Sequence, residues 1–461
     1  MTRNVALIII DTLRKDYYEK YSDRLSSSAG MSFNQCRAAS SWSTPSHASM
    51  FTGELPYEHG VHSENHDFSG IPVEQTFFDE LNDYFCLGIT QHGLISEENG
   101  VGRFFDRYIQ PARTKDQMGT DRDDLGRYLD FILCCLKSDY TLENINNALW
   151  LKFQEQLENL PIPKWSDDGA STLSETAVSE VTNHSEPFFL FMNFMDVHRP
   201  YRTNRHYDDS LYSVPNSWSD GQPAVWDYNE DNKASEEYTN NYRQIYGASI
   251  EYTDRVVSDM ISKIQAKTNG ETSFIITSDH GQNLGCEADE YMFNHNSTLT
   301  EGVLHVPLDI INPPDEWPEK EDRYFTQCDL GELINALARN NDYPNDLCGD
   351  PIAAEVIGRA SGYTDLSRFP GTDEEFEYLN RMMRCVYDGN HKYQWNSLGD
   401  VKLYELDSTK PNWQRQKRSN IDLPSSCKEL FEVEISEYKN SVVHSEVDNE
   451  TKSRLKELGY L

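Results

Sequence analysis

The sequence is short of cations, of long apolar runs and of paired cysteines. Its 461 residues carry 41 Lys and Arg against 77 Asp and Glu, a formal net charge of −36. A chain so anionic repels nucleic acid and anionic membrane surfaces, so neither is expected as a partner. It also repels anionic small molecules at long range, so a bound cation would serve any site that processes an anion. The acidic residues are spread along the chain and not packed into one tail, a pattern that suits a salt-rich environment. The apolar runs, such as 5–10 and 187–195, fall well short of the ~20 residues of a membrane-spanning helix. The first of them is also too short for a secretory leader, so the expectation is a cytoplasmic location with no membrane span. Nine cysteines include the adjacent Cys134-Cys135 but no Cys-x-x-Cys. An odd count without metal spacing argues against a disulfide framework or a zinc site, and buried free thiols are expected. There is no internal repeat and no low-complexity segment.

What is present is a globular composition, 37% apolar and 12% aromatic, long enough for a large core. Apolar runs alternate with helical patterns, which implies an α/β fold around a mostly parallel sheet. The runs 5–10, 187–195 and 273–278 each read as a buried parallel strand, and each is followed at once by polar residues. Those residues are Asp11, then Asp196 and His198, then Asp279 and His280. Open α/β sheets bind ligands at the carboxyl edge of their strands, so these side chains are expected at one edge. Asp11, Asp279 and His280 form a sound ligand set for a divalent metal. Gln91-His92 falls after a further strand at 86–90, but His92 is not counted among the site residues.

The stretch Ser43-Thr44-Pro45-Ser46-His47, followed by Ala48 to Gly53, reads as a loop entering a helix. Pro45 suits the first turn and Gly53 the end. Ser43 is then placed just before the helix N-terminus, where free N–H groups and the helix dipole favour an anion. It can be a nucleophile toward a sulfate or phosphate ester, or only an N-cap.

Together these segments resemble the sulfatase family of the alkaline-phosphatase-like superfamily. The family signature runs Cys or Ser, any residue, Pro, Ser, Arg; here it is Ser43-Thr44-Pro45-Ser46-His47, with His47 in place of the arginine. Asp11-Thr12-Leu13-Arg14 resembles the first motif, with Thr12 in place of a second acid. Pro56-Tyr57-Glu58-His59-Gly60-Val61, Asp196-Val197-His198-Arg199-Pro200-Tyr201 and Ser278-Asp279-His280-Gly281 match further family segments. So does Asn294-His295, where Asn296 and Ser297 offer no lysine for the anion. Leu403-Tyr404-Glu405-Leu406-Asp407 and the closing Arg454-Leu455-Lys456-Glu457-Leu458-Gly459-Tyr460-Leu461 extend the resemblance to the end.

The resemblance implies an alkaline-phosphatase-like α/β sandwich with a smaller C-terminal α+β subdomain. The expected division is 1–350 and 351–461, with a helical insertion at about 116–186. It implies catalytic roles for Ser43, His47, His198 and His295. It also implies one divalent cation on Asp11, Asp279 and His280, with calcium typical and manganese, magnesium or zinc also suited to the donor set. The expected activity is cleavage of a sulfate-type ester of a small molecule or glycan. A phosphodiesterase or a phosphoglycerol-type transferase using unmodified Ser43 is the alternative, since the missing arginine belongs to the signature by which Ser43 would be oxidised to formylglycine. An inactive binding homologue is the third reading.

Overall fold

The computed structural model describes residues 2–111, 162–182, 187–221, 232–268, 272–295, 297–358 and 372–441. Its centre is an eight-stranded sheet. The strands are β1 (Asn4–Ile10), β2 (Met31–Arg37), β3 (Phe85–Thr90), β4 (Arg107–Ile109), β5 (Phe188–Phe194) and β6 (Thr272–Thr277). A two-stranded hairpin, β7 (Asn283–Leu284) with β8 (Phe293–Asn294), stands beside it, and β9 (Leu308–Ile311) and β10 (Lys320–Thr326) complete the sheet. The order is β10-β2-β9-β6-β1-β5-β3-β4. All neighbours are parallel except β9, which runs antiparallel to β2 and β6.

The continuous apolar runs follow from burial on both faces. On β1, Val5, Leu7 and Ile9 join one core cluster, while Ala6, Ile8 and Ile10 join the cluster on the other face. A fully buried aliphatic side chain stabilises the fold by about 1.5–3 kcal/mol, so register here is strongly specified. The helix Glu236–Lys267 covers one face, with Ser235 as its N-cap accepting from the Tyr238 N–H. Its stripe of Tyr242, Ile245, Tyr246, Ile250, Val257 and Ile264 packs into the second cluster.

A separate antiparallel sheet follows, β11 (Ile352–Ile357), β12 (Met382–Asp388), β13 (His391–Asn396), β14 (Val401–Leu406) and β15 (Gln414–Ser419), in sequential order. Gly389-Asn390 forms the turn between β12 and β13, where Gly389 takes φ 54°. Two sets of contacts join this sheet to the first. The Glu355 N–H donates to the Ala39 carbonyl and the Ser40 hydroxyl to the Glu355 carbonyl, which props the loop leading to Ser43. Buried Glu301 accepts from Arg37 at 3.0 Å, Lys392 at 3.1 Å and Tyr387 at 2.6 Å.

The spacing of apolar residues over 77–85 predicts an amphipathic helix, which the chain does not form. The chain makes a short 3-10 turn at Phe77–Leu81, and β3 starts at Phe85. Phe77 and Phe78 stack on each other and meet Phe51 and Phe189, so adjacent side chains enter one core, which a helical stripe does not require. Periodicity in the sequence also predicts helices at 125–136 and 142–157 and a helix end at Gly270; these, with the closing motif at 454–461, lie outside the described residues. The described part of the 116–186 region contains the helix Ala170–Val181, which packs on β3, β5 and the Glu236–Lys267 helix.

Candidate active site

Strand order explains the site. The strands β6, β1, β5 and β3 are parallel neighbours, so their carboxyl ends share one edge. Each ends in a candidate group: Asp279 and His280 after β6, Asp11 after β1, His198 after β5, and His92 after β3. Thr12, directly after Asp11, holds φ 61°, a costly conformation for a β-branched residue. Its hydroxyl faces the Asp11 and Val197 carbonyls at 2.7 and 3.0 Å and is turned to the backbone of the neighbouring strand end.

Ser43 is the first residue of the helix Ser43–Thr52, one position further in than the sequence suggests. The N-cap is Trp42, which makes no side-chain cap, so the Ser43 hydroxyl is not spent on capping. Instead Ser43 Oγ donates to Asp11 Oδ2 at 3.3 Å and lies 3.2 Å from His280 Nε2. Gly53, at φ 77°, closes the helix as expected.

The tautomer of each histidine follows from its Nδ1 partner. His280 Nδ1–H donates to the Gly281 carbonyl at 2.9 Å, which leaves a lone pair on Nε2. His198 Nδ1–H donates to the Arg199 carbonyl at 2.7 Å. His295 Nδ1–H donates to Gln282 Oε1 at 2.7 Å, and the Gln282 amide is oriented by donating to the Tyr242 hydroxyl. The rings of His280 and His295 lie 4.3 Å apart, and those of His198 and His295 5.5 Å apart. Burial pushes the His198 pKa down to about 3; burial together with the neighbouring His280 and His198 holds His295 well below the ordinary value. The His198 and His295 imidazoles are therefore neutral at rest and present Nε2 as acceptors.

His47 stands beside this cluster. Its Nδ1–H donates to the Ser43 carbonyl at 2.8 Å, its Nε2 accepts from Asn193 Nδ2 at 3.3 Å, and Nδ1 is 3.7 Å from Asp279 Oδ2. Burial lowers its pKa despite Asp279 and the Ser43 carbonyl. The residue in the signature's arginine position is therefore a neutral ring tied to the Ser43 carbonyl. His59, also a motif residue, accepts from the Val61 N–H and bonds Ser49, which is a structural arrangement.

His92 is the residue the sequence reading left out. It is fully buried. Its Nδ1 accepts from the Leu94 and Ile95 N–H groups, both at 3.0 Å, so its proton is on Nε2, 3.6 Å from Asp11 Oδ2. The signal was its place after a strand; only the pairing of β3 with β5 brings it to Asp11.

The donor set suits a divalent cation. Asp11, Asp279 and His280 are fully buried, and each offers a ligand atom within 4.8 Å of the others. Among the described residues no hydrogen-bond donor reaches buried Asp279 Oδ2, an unfavourable state for a carboxylate that a cation would relieve. Burial alone would raise the Asp279 pKa, but the group is held below its ordinary value, and the His280 backbone N–H donates to its Oδ1 at 3.0 Å. Gly281 is required by packing: a Cβ there would lie 2.2 Å from the Gly302 carbonyl oxygen.

A family model described as Sulfatase matches residues 3–339. Among solved structures, the phosphonate monoester hydrolase of Agrobacterium radiobacter superposes with a TM-score of 0.58 at 13% identity, over 87% of this chain and 89% of that one. The phosphonate monoester hydrolase from Silicibacter pomeroyi gives 0.59 at 15%, over 87% and 89%. A protein solved in complex with its substrate D-glucosamine-2-N,6-O-disulfate gives 0.58 at 13%, over 88% and 91%. At these identities the likeness is one of fold. No curated protein matches the sequence.

Proposed function

The chain belongs to the sulfatase family, a sulfuric ester hydrolase-like enzyme of the alkaline-phosphatase superfamily, and we propose that it cleaves a sulfate-type ester with Ser43 at the reacting position. The observation that carries the proposal is the place of the Ser43 hydroxyl, between Asp11 Oδ2 at 3.3 Å and His280 Nε2 at 3.2 Å, in the first turn of a helix. A divalent cation held by Asp11, Asp279 and His280 would neutralise ester oxygens and favour the ionised nucleophile. Asp11 Oδ2 accepts the Ser43 proton. The first-turn N–H groups of the helix face charge that develops on the ester. His198 and His295 bind through Nε2, and an ester anion beside those nitrogens favours the imidazolium form that protonates the leaving oxygen. His47 positions the helix start. The substrate is a small-molecule or glycan ester.

A second reading is favoured by His47. A neutral imidazole bonded to the Ser43 carbonyl and to Asn193 cannot reproduce a guanidinium's permanent charge and fork of donors. If Ser43 stays a serine and attacks directly, the covalent ester it forms is more readily released from phosphorus than from sulfur. The reaction is then phosphodiester hydrolysis or phosphoryl transfer. The test is the intact mass of the peptide carrying Ser43, from protein made in its own host, with turnover of matched aryl sulfates and phosphodiesters. Loss of two hydrogens with faster sulfate turnover supports the sulfatase reading. An unmodified mass with faster phosphodiester turnover supports the second. Ser43→Ala should cut turnover by roughly 10³-fold or more in either case, and retention of activity would sink both.

A further inference from the structure

The small hairpin of β7 and β8 sets Gln282 beside His295. Asn283 and Asn294 are antiparallel partners, so the residues just outside that pair, Gln282 and His295, stand opposite each other. Both are fully buried. His295 Nδ1–H donates to Gln282 Oε1 at 2.7 Å, and Gln282 Nε2–H donates to the Tyr242 hydroxyl at 2.7 Å. The Nδ1 partners of His198 and His280 are backbone carbonyls, those of Arg199 and Gly281. At His295 the partner is a side-chain amide, whose two ends differ: the oxygen accepts and the nitrogen donates. Whichever end faces Nδ1 therefore decides which ring nitrogen of His295 carries the proton.

The rest of Gln282 is clamped. Its N–H donates to the Gly302 carbonyl at 3.0 Å, and its own carbonyl accepts from Arg14 Nη1 at 3.0 Å. Arg14, the last residue of the first motif, is held in turn by Asp289 at 3.0 Å. Tyr242 is confined as well. It is fully buried on the Glu236–Lys267 helix, with the rings of Tyr201 and Phe293 edge-on at 4.8 and 4.9 Å. Tyr201 closes the motif that carries His198, and its hydroxyl donates to the Val197 carbonyl at 2.9 Å. Arg14 and Tyr201 thus hold the two residues that hold His295, although neither bonds to that ring through these contacts.

We propose that Gln282 is a positioning residue for His295. Its Oε1 keeps the ring proton on Nδ1 and the lone pair on Nε2, and the Tyr242 hydroxyl keeps the amide from turning over. With the amide reversed, its NH2 group would face Nδ1 and move the proton to Nε2, removing the acceptor that takes up a proton for the leaving oxygen. The catalytic consequence rests on the ester-hydrolase reading; the tautomer does not.

The test uses the full chain with isotopically labelled histidine, observed by nitrogen NMR, with His295→Gln identifying the signal by its loss. The wild type is expected to show a protonated Nδ1 and an unprotonated Nε2. Gln282→Leu, and Tyr242→Phe, which leaves the hairpin untouched, are expected to show both tautomers. A proton on Nε2 in the wild type, or an unchanged signal in both variants, overturns the proposal without any activity measurement. In steady-state kinetics, Gln282→Leu should lower kcat about 10–100-fold with bound metal unchanged, and more for alkyl esters than for nitrophenyl esters. Gln282→Glu keeps an oxygen acceptor, can take the Tyr242 hydroxyl as donor, and should restore most of the lost kcat. An equal loss on both ester types with no recovery in Gln282→Glu would mean that Gln282 only packs, and overturns the proposal. Absence of ester turnover in the wild type would count against the hydrolase reading and leave the nitrogen spectra to decide this one.

Discussion

His92 Nε2–H faces Asp11 Oδ2 across 3.6 Å, and the same carboxylate oxygen accepts the Ser43 hydroxyl at 3.3 Å. One carboxylate oxygen thus faces both the Ser43 hydroxyl and the fixed His92 imidazole. His92 cannot turn away, because Nδ1 is anchored by two backbone N–H groups. Replacing it with alanine should lower kcat by about 10–100-fold while bound metal content stays unchanged, a loss in keeping with removal of a group that orients a ligand carboxylate. Elemental analysis beside steady-state kinetics checks it; full activity in His92→Ala would show that Asp11 needs no such support.

Asp11 and Asp279 supply the anionic ligands of the proposed cation site. Asp279→Asn and Asp11→Asn should each lose most of the divalent metal that the wild type retains through gel filtration. Chelation should inactivate the wild type, and readdition of calcium or manganese should restore it. Equal metal content in all three proteins would remove the assignment.

Glu301 joins the two sheets through Arg37, Lys392 and Tyr387, all buried. Burial alone would raise its pKa; Arg37 and Lys392 overcome this and bring it down to about 2. Glu301→Gln would leave buried Arg37 and Lys392 without their carboxylate and should destabilise the fold by about 3–5 kcal/mol. Denaturant unfolding at neutral pH measures it, and a change below about 1 kcal/mol would mean that the cations find other partners.

Three histidines, His59 in the Pro56–Val61 segment and His62 and His66 just after it, weaken the fold in acid. Burial lowers His59 to about 3 and His62 and His66 to about 4, from an ordinary 6.5. A histidine with a depressed folded pKa contributes stability that is present above the unfolded value. That contribution is lost as pH falls from about 6.5 toward 4, because the unfolded chain takes up the proton first. Stability should therefore decline below about pH 6.5, by up to ~1.4 kcal/mol per pH unit for each such group. Unfolding midpoints from pH 8 to 5 at constant salt test this, and the slope should shrink in His62→Gln and His66→Gln. A flat profile would contradict it.

Much of this protein is legible in the order of its residues. Strands buried on both faces must be continuously apolar, so 5–10, 187–195 and 273–278 announce a parallel sheet, and the polar residues that end them announce its ligand edge. Asp11, Asp279 and His280 follow from that pattern because each depends only on its own strand. What depends on neighbours was not legible. His92 enters the site only because β3 pairs with β5 and β5 with β1, an order no local pattern encodes. His47 reads as a substitute for an arginine, but its partners, the Ser43 carbonyl and Asn193, come from a helix turn and a separate strand. The capping question at Ser43 was also settled in three dimensions, where Trp42 begins the helix and the hydroxyl reaches Asp11 and His280. Periodicity records which face of an element is buried; which groups then share a site is decided by contacts between elements distant in the chain.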